Sequence, residues 1–192
     1  MTQRASHPDW FNAPVPSFGD ARPELLIVGL APGLRGANRT GRPFTGDYAG
    51  DLLYSTLLKL GFAEGTYAAH PQDGLRLHRV RIVNAVRCVP PQNKPEPSEI
   101  AACRPFLAAD LAALPSVRAA LALGAIAHNA FLAAKGLRRA PYPFAHAAMH
   151  LLPDGILLAD SYHCSRLNTN TGRLTPAMFE AVIASLAARL SR

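Results

Sequence analysis

The chain has 192 residues, of which 49% are hydrophobic and 17% charged, so it has the apolar material for one globular domain over residues 1–192, and intrinsic disorder and a coiled coil are excluded. Lys and Arg outnumber Asp and Glu by 20 to 13, and the resulting formal charge of +7 favours a polyanionic partner such as a nucleic acid. Three cysteines make no disulfide framework, and no apolar run reaches the ~20 residues that span a bilayer, which predicts a cytoplasmic protein without a membrane contact.

Strand and helix patterns alternate along the chain. Residues 24–29 (ELLIVG) predict a buried strand, residues 30–46 form a loop with four glycines and two prolines, and a helix follows from Asp47 to a stop at Gly61. The later strands are predicted at residues 79–86, 117–123 and 156–159, and the later helices at residues 98–114, 124–135 and 175–190, with Ser98 as the N-cap of the first of these.

This alternation predicts an α/β sandwich with a mostly parallel sheet and helices on both faces. In such a sheet, ligands bind beyond the carboxyl ends of the strands. Three irregular, polar loops follow predicted strands, at residues 30–46, 87–97 and 163–175. We therefore expect them to converge at one edge of the sheet.

The first loop with its borders, together with the carboxyl end of the second predicted strand, carries residues suited to a planar heterocycle. The first loop has neither a dinucleotide fingerprint nor a phosphate-binding P-loop. An aromatic ring can stack on such a base, and an Asn side chain offers one acceptor and two donors to its edge. The candidates are the backbone of Gly29, Leu30 and Ala31, and the side chains of Phe44, Asp47 and Asn84.

Each side chain also has an ordinary structural interpretation. Phe44 could pack in the core, Asn84 could cap a loop, and Asp47 could cap a helix. His163 could be structural, but the Ser, Asn, Thr and Arg residues that follow it are typical of a segment that contacts phosphates and bases. Arginines in these loops are Arg35, Arg39, Arg42, Arg166 and Arg173, which could be solvated charges or contacts to a DNA backbone.

Three segments together resemble motifs of the uracil-DNA glycosylase superfamily, with family 5, the type-B enzymes, as the nearest branch. They are GLAPGLRGANRTGRPFTGDYAGDLL, NAVRCVPP and HCSRLNTNTGRLT, and they occur in the family's order over nearly the whole chain. The resemblance implies a three-layer α/β sandwich with a central four-stranded parallel sheet. It also implies hydrolysis of the N-glycosidic bond of a flipped, deaminated base in DNA, which leaves an abasic site.

The resemblance also implies roles for the individual residues. Backbone from Gly29 to Pro32 would surround the sugar and base, Phe44 would stack on the ring, and Asn84 would read its Watson–Crick edge. His163 would hydrogen-bond the base O2, where negative charge develops. The implied DNA contacts are Arg39, Arg42, Ser165, Arg166, Leu167, Asn168, Asn170 and Arg173, with Arg166 or Leu167 filling the gap left by the extruded nucleotide.

The first motif departs from many members of the superfamily in lacking an acid that would orient the attacking water, since the stretch after Gly29 reads LAPG. Asp47 is the nearest carboxylate and becomes the catalytic candidate, with Asp51 one turn further along the helix as the fallback. Alternatively, stabilisation of the leaving group lowers most of the barrier, and removal of Asp47 would leave substantial activity.

A second departure concerns cysteine. Families 4 and 5 typically hold a four-iron four-sulfur cluster with four cysteines, two of them in a CxxC that this sequence lacks. Cys88 and Cys103 match the other two ligands, and Cys164 belongs to the loop of His163. Two thiolates cannot hold such a cluster, so we expect no metal and no cofactor, with Met1 as the natural start. The alternative is that a preceding segment carries the missing pair.

Three functional hypotheses remain open. The leading one is a monofunctional glycosylase acting as a monomer on uracil, with hypoxanthine and xanthine as further candidate bases, because no lysine in the motif loops is a clear Schiff-base nucleophile. The second is a protein that binds damaged or abasic DNA without catalysis. The third, an enzyme of free nucleosides, leaves the basic loops unexplained.

A Cys164 nucleophile beside His163 is disfavoured because adjacent residues on extended chain point to opposite sides.

Overall fold

The computed structural model describes residues 4–191 and shows a mixed α/β fold with one main sheet. The strands are β1 (Phe18–Gly19), β2 (Leu25–Gly29), β3 (Ala63–Glu64), β4 (Arg76–Leu77), β5 (Val80–Asn84), β6 (Ala119–Leu123), β7 (Met149–Leu151) and β8 (Leu157–Ser161). The helices are α1 (Ala37–Thr40), α2 (Tyr48–Lys59), α3 (Pro97–Ala112), α4 (Ala125–Ala134), α5 (Arg166–Asn170) and α6 (Pro176–Leu190), with a 3-10 turn at Pro91–Asn93. No helix in this part of the chain is long and apolar enough to cross a bilayer.

The main sheet has the strand order β1-β5-β2-β6-β8-β7. Its four inner strands, β5, β2, β6 and β8, are parallel to one another, which confirms the predicted central four-stranded sheet. The outer strands β1 and β7 pair antiparallel and were not predicted. They are two and three residues long and carry no apolar run, so their pairing comes from backbone hydrogen bonds that leave no pattern in the sequence.

The inner strands are buried on both faces, which explains their continuous apolar runs. One face of β2 places Leu25 and Ile27 in a core shared with α2 and α6, and the other face places Leu26 and Val28 in a core shared with α3 and α4. The sheet is therefore the middle of three layers. The carboxyl edge of the sheet lies between these two cores, and the irregular loops begin at this edge.

The boundaries of the longer helices agree with the sequence analysis to within two residues, and only the N-cap of α3 differs from the prediction. Its N-cap is Glu96 and not Ser98, because the backbone N–H of Glu96 donates to Glu99 Oε2 at 2.8 Å. Two loops expected to be irregular contain the short helices α1 and α5. Gly61 adopts a φ of +75° just after α2, which matches its predicted role as the stop.

Candidate active site

A cavity of about 400 Å³ opens at the carboxyl edge of the sheet, where β2, β5 and β8 end. It brings together residues from all three loops that the sequence analysis selected. Its lining includes the predicted residues Leu30, Ala31, Phe44, Asp47, Asn84, His163, Ser165 and Arg166. Its size lies in the ordinary range for a small-molecule site.

The floor of the cavity is set by the register of two strands. Gly29 lies directly beside Asn84 because β2 and β5 pair in parallel. A Cβ on Gly29 would collide with Asn84 Oδ1 and would stand 2.7 Å from ring atoms of Phe44, so only glycine fits there. The Asn84 side chain is buried, and its Oδ1 has no hydrogen-bond partner among the described residues. A buried, unused acceptor at a cavity is a site for a ligand donor.

Phe44 forms one wall and holds an unusual backbone conformation. Its φ is +51°, which costs a non-glycine residue on the order of 1 kcal/mol or more and persists only when neighbours enforce it. Tyr54 donates to Pro43 O at 2.6 Å and Tyr67 donates to Phe44 O at 3.1 Å. Gly50 leaves room for this arrangement, because a Cβ there would overlap Phe44 O. The ring is thus fixed before any ligand arrives.

Arg42 was expected to contact DNA, and that prediction is wrong. Its side chain is 4% exposed, and its guanidinium forms a bidentate pair with Asp73 at 2.8 and 2.7 Å. It also lies 5.1 to 5.8 Å from the ring centroids of Phe18, Tyr54 and Tyr67. Arg42 holds the pKa of Asp73 well below its usual range. Nothing in a single sequence separates such an internal arginine from a surface one.

Asp47 occupies the N-cap position of α2, but its side chain makes no capping bond. The carboxylate instead packs against Gly33 and Gly36 of the first loop, where a Cβ on Gly36 would strike it. Its Oδ1 is buried and has no hydrogen-bond partner among the described residues. Burial raises the pKa of Asp47. A carboxylate in this state is a strong acceptor for a proton or a water molecule.

His163 faces Phe44 across the cavity, with ring centroids 6.0 Å apart and planes inclined by 29°. Burial lowers the pKa of His163 to about 4, so the imidazole is neutral near neutral pH. Asn168 Nδ2 donates to the His163 carbonyl at 2.8 Å and ties the loop to itself. A neutral imidazole can donate one hydrogen bond without bringing a charge into the cavity.

The loop after β8 presents an exposed apolar tip. Leu167, in α5, is 72% exposed, while Arg166 lies 5.2 Å from the ring centroid of Tyr48 and Arg173 lies 4.5 Å from that of Tyr162. Asn170 is exposed. Arg39 is exposed as well, but it lines a separate recess with Phe11 and His70. The predicted site residues outside the cavity lining are Gly29, Arg39, Arg42, Leu167, Asn168, Asn170 and Arg173.

Sequence reasoning missed four residues that shape the cavity. Tyr48 and Asn93 line it, and Asn93 Oδ1 accepts from the Leu34 N–H at 3.0 Å. Tyr67 and Asp73 lie outside the cavity lining: Tyr67 donates to the Phe44 carbonyl, and Asp73 pairs with Arg42. Tyr48 could have been found from its place next to Asp47 in the motif, whereas Tyr67 and Asp73 lie in a polar stretch that carries no pattern.

The three cysteines occupy different surroundings: Cys88 is exposed, Cys103 is half-buried and Cys164 is fully buried. In residues 4–191 no three or more His, Cys, Asp or Glu side chains are arranged to hold a metal ion. Cys88 and Cys103 alone do not fit a four-iron cluster. Burial raises the pKa of Cys164 to about 12, so its thiol stays protonated and is not a nucleophile.

The sequence of the chain is similar to that of a known protein family. Residues 16–187 match the family model of the uracil DNA glycosylase superfamily. A type-5 uracil-DNA glycosylase of Thermus thermophilus is 51% identical over 88% of this chain and 77% of its own length. Type-5 uracil-DNA glycosylases of Mycobacterium bovis and Pyrobaculum aerophilum are 44% and 38% identical over 93% of this chain, and over 67% and 77% of their own lengths.

The crystal structure of Pedobacter heparinus SMUG2 shares the fold, with a TM-score of 0.52 and 15% identity over 88% of this chain and 76% of that protein. The match of sequence, fold and motif order leads to one conclusion. The chain belongs to the uracil DNA glycosylase superfamily, and its resemblance to type-5 members extends over most of its length.

Proposed function

We propose that this chain removes uracil from DNA by hydrolysing the N-glycosidic bond, which leaves an abasic site for base excision repair. The observation that carries the proposal is the unused, buried acceptor of Asn84 beside the fixed ring of Phe44 at the floor of the cavity. A flipped pyrimidine dione supplies both missing partners, a donor for the amide and a flat face for the ring.

Base recognition follows from this pair. The N3–H of uracil donates to Asn84 Oδ1, and the amide Nδ2 donates to O4. Cytosine presents the opposite pattern on that edge, so it leaves the buried amide unpaired, which costs on the order of 1–3 kcal/mol per group. The backbone of Gly29, Leu30 and Ala31 closes the pocket around the base and sugar.

His163 acts on the leaving group. As the C1′–N1 bond breaks, its electron pair moves into the base and charge grows on O2. A neutral imidazole N–H donates to that oxygen, and a donor fixed before the reaction can be worth several kcal/mol. The lowered pKa of His163 keeps the ring in this donor form.

Asp47 acts on the sugar side. Its unpartnered carboxylate oxygen accepts a hydrogen bond from water, whose oxygen attacks C1′ as the base departs. The water proton passes to Asp47, and the released uracil anion takes up a proton from solvent. The same negative charge stabilises the positive charge that builds on the sugar.

The loop after β8 supports the extruded nucleotide. We propose that Leu167 enters the duplex and fills the space of the flipped base, because it is the exposed apolar tip of this loop. Ser165, Arg166, Asn168, Asn170, Arg173 and Arg39 are the proposed contacts to the DNA backbone. We further propose that the chain acts as one catalytic domain, as a monomer, and in the cytoplasm. Hypoxanthine and xanthine are proposed as additional substrates.

The test is alkaline cleavage of a labelled duplex with one U:G mismatch by wild type, Asn84→Ala and His163→Ala. We expect the wild type to cleave and both variants to lose ~10²-fold or more, the usual effect of one preorganised group. Binding of the duplex by the wild type without base release would instead support a damage-binding protein. Strands containing deoxyinosine or deoxyxanthosine test the wider substrate range.

A further inference from the structure

A second recess lies between α3 and α4, next to the active-site cavity. It has a volume of about 580 Å³ and is lined by the cations Lys94, Arg104 and Arg139 and by Ile100, Ile126 and Asn129. Ile100 and Arg104 are four residues apart on α3 and therefore share one face of that helix. The recess thus combines an apolar floor with positive walls.

Positive charge exceeds negative charge in this recess. All three cations are exposed, and among residues 4–191 none of them pairs with a carboxylate. Glu96 is the one acid in the recess lining. Several cations elsewhere on the surface do form ion pairs with acids, namely Lys59, Arg79, Arg87, Arg118 and Lys135. Free cations in a groove attract a polyanion.

The recess continues from the active site. Asn93 lines the catalytic cavity and holds the first loop through Leu34, and its neighbour Lys94 lines the recess. When a flipped base occupies the cavity, the DNA backbone on both sides of that nucleotide must cross the rim of the cavity. Arg166 and Ser165 lie at another part of that rim, so Asn93 and Lys94 mark a separate exit.

We propose that the groove between α3 and α4 binds the phosphodiester backbone of the DNA strand that leaves the catalytic cavity past Asn93. Lys94, Arg104 and Arg139 neutralise successive phosphates, and the exposed side chain of Ile126 contacts a base or sugar. A positively charged groove that follows the backbone is the usual arrangement for binding a single strand. The proposal rests on the proposed function, because that function places the damaged base in the cavity.

The test compares two double variants of equal charge change. Arg104→Ala with Arg139→Ala removes the groove cations, and Arg76→Ala with Arg189→Ala removes two exposed cations elsewhere. Affinity is measured by fluorescence anisotropy at several salt concentrations, on a single strand of ~20 nucleotides with one non-cleavable deoxyuridine analogue. Each lost phosphate contact lowers the salt slope by ~0.7 on a single strand. A trinucleotide with the same central analogue serves as the short probe.

We expect the groove variant to lose affinity for the long strand with a salt slope smaller by about 1.4, and to lose less on the trinucleotide. The control variant should match wild type on both. Equal losses in the two double variants, or no loss in the groove variant, would overturn the proposal. Release of uracil by the wild type is scored separately, so a protein that binds through the groove yet releases no base would refute the proposed function and leave the groove standing.

Discussion

Replacement of Asp47 by Asn should make the protein more stable while it destroys activity. The wild-type side chain is half-buried, and its Oδ1 is buried with no partner among the described residues. Burial raises the pKa of Asp47 by more than the backbone N–H groups of Gly50 and Ala49 lower it. Asn keeps the shape of the side chain and removes the charge. The same isolation that makes Asp47 a strong acceptor for water therefore weakens the folded state.

The size of the gain is the difference between holding a carboxylate and holding a neutral amide in this site, which is on the order of 1–3 kcal/mol for a group that loses hydration without full compensation. For a chain of this length each kcal/mol shifts Tm by ~2–4 °C, so the variant should melt ~2–12 °C higher near neutral pH. The pKa of Asp47 is higher in the folded than in the unfolded protein. The charge therefore lowers the free energy of unfolding by its full amount above the folded-state pKa, and by nothing once the pH is below the ordinary pKa of an Asp. The stability difference should therefore shrink to zero in acid.

The assay is thermal unfolding of wild type and Asp47→Asn across a pH series, with Asp51→Asn as the control. The N-terminal end of α2 favours a negative charge at both positions, but Asp51 is exposed and keeps its hydration, so its replacement should lower stability by ~0.3–1 kcal/mol. Other groups that titrate in this range, such as His163, cancel in the comparison. Uracil release by Asp47→Asn should fall by ~10²–10⁴-fold.

Two results would refute this reasoning. A lower Tm for Asp47→Asn near neutral pH would mean that the carboxylate is well solvated or bonded in the folded protein. A stability gain without loss of activity would remove Asp47 from the mechanism and leave the departing base, held by His163, as the main site of catalysis.

Three further predictions follow from the site. The rate of uracil release should fall in acid with an apparent pKa above the ordinary Asp value, since Asp47 must be ionised and burial raises its pKa. The residual rate of Asp47→Asn, followed in single-turnover assays, should not show this fall in acid. The same fall in that variant would assign the titration to another group. Asp73→Asn should cost ~3–5 kcal/mol of stability, because it leaves the Arg42 guanidinium buried without its partner, and in denaturation experiments a cost below ~1 kcal/mol would show that the pair is effectively solvated. Leu167→Ala should slow excision from duplex DNA far more than from single strands, where no gap has to be filled, and equal slowing on both substrates would exclude the wedge role.

The sequence predicted what depends on local pattern. The four inner strands carry continuous apolar runs, and the loops that follow them carry the cavity residues, so both the sheet and the position of the site were predictable. Interactions between distant segments were not. Arg42 looked like its neighbours in the loop, and only the fold shows that it pairs with Asp73, a residue 31 positions away. The edge strands β1 and β7 were not predicted for the same reason, because their pairing depends on the tertiary structure.

The pairing of Gly29 with Asn84 separates two properties that could evolve independently. The contact proposed to select the base lies at the ends of two inner strands, in a register that the whole sheet maintains, while most residues proposed to bind DNA near the cavity lie on exposed loops. Substitutions in those loops can therefore change affinity, strand preference or salt tolerance without altering which base is accepted. A change in the proposed contact with the Watson–Crick edge, by contrast, has to occur at the ends of β2 and β5, where Gly29 and Asn84 are held in register by the sheet.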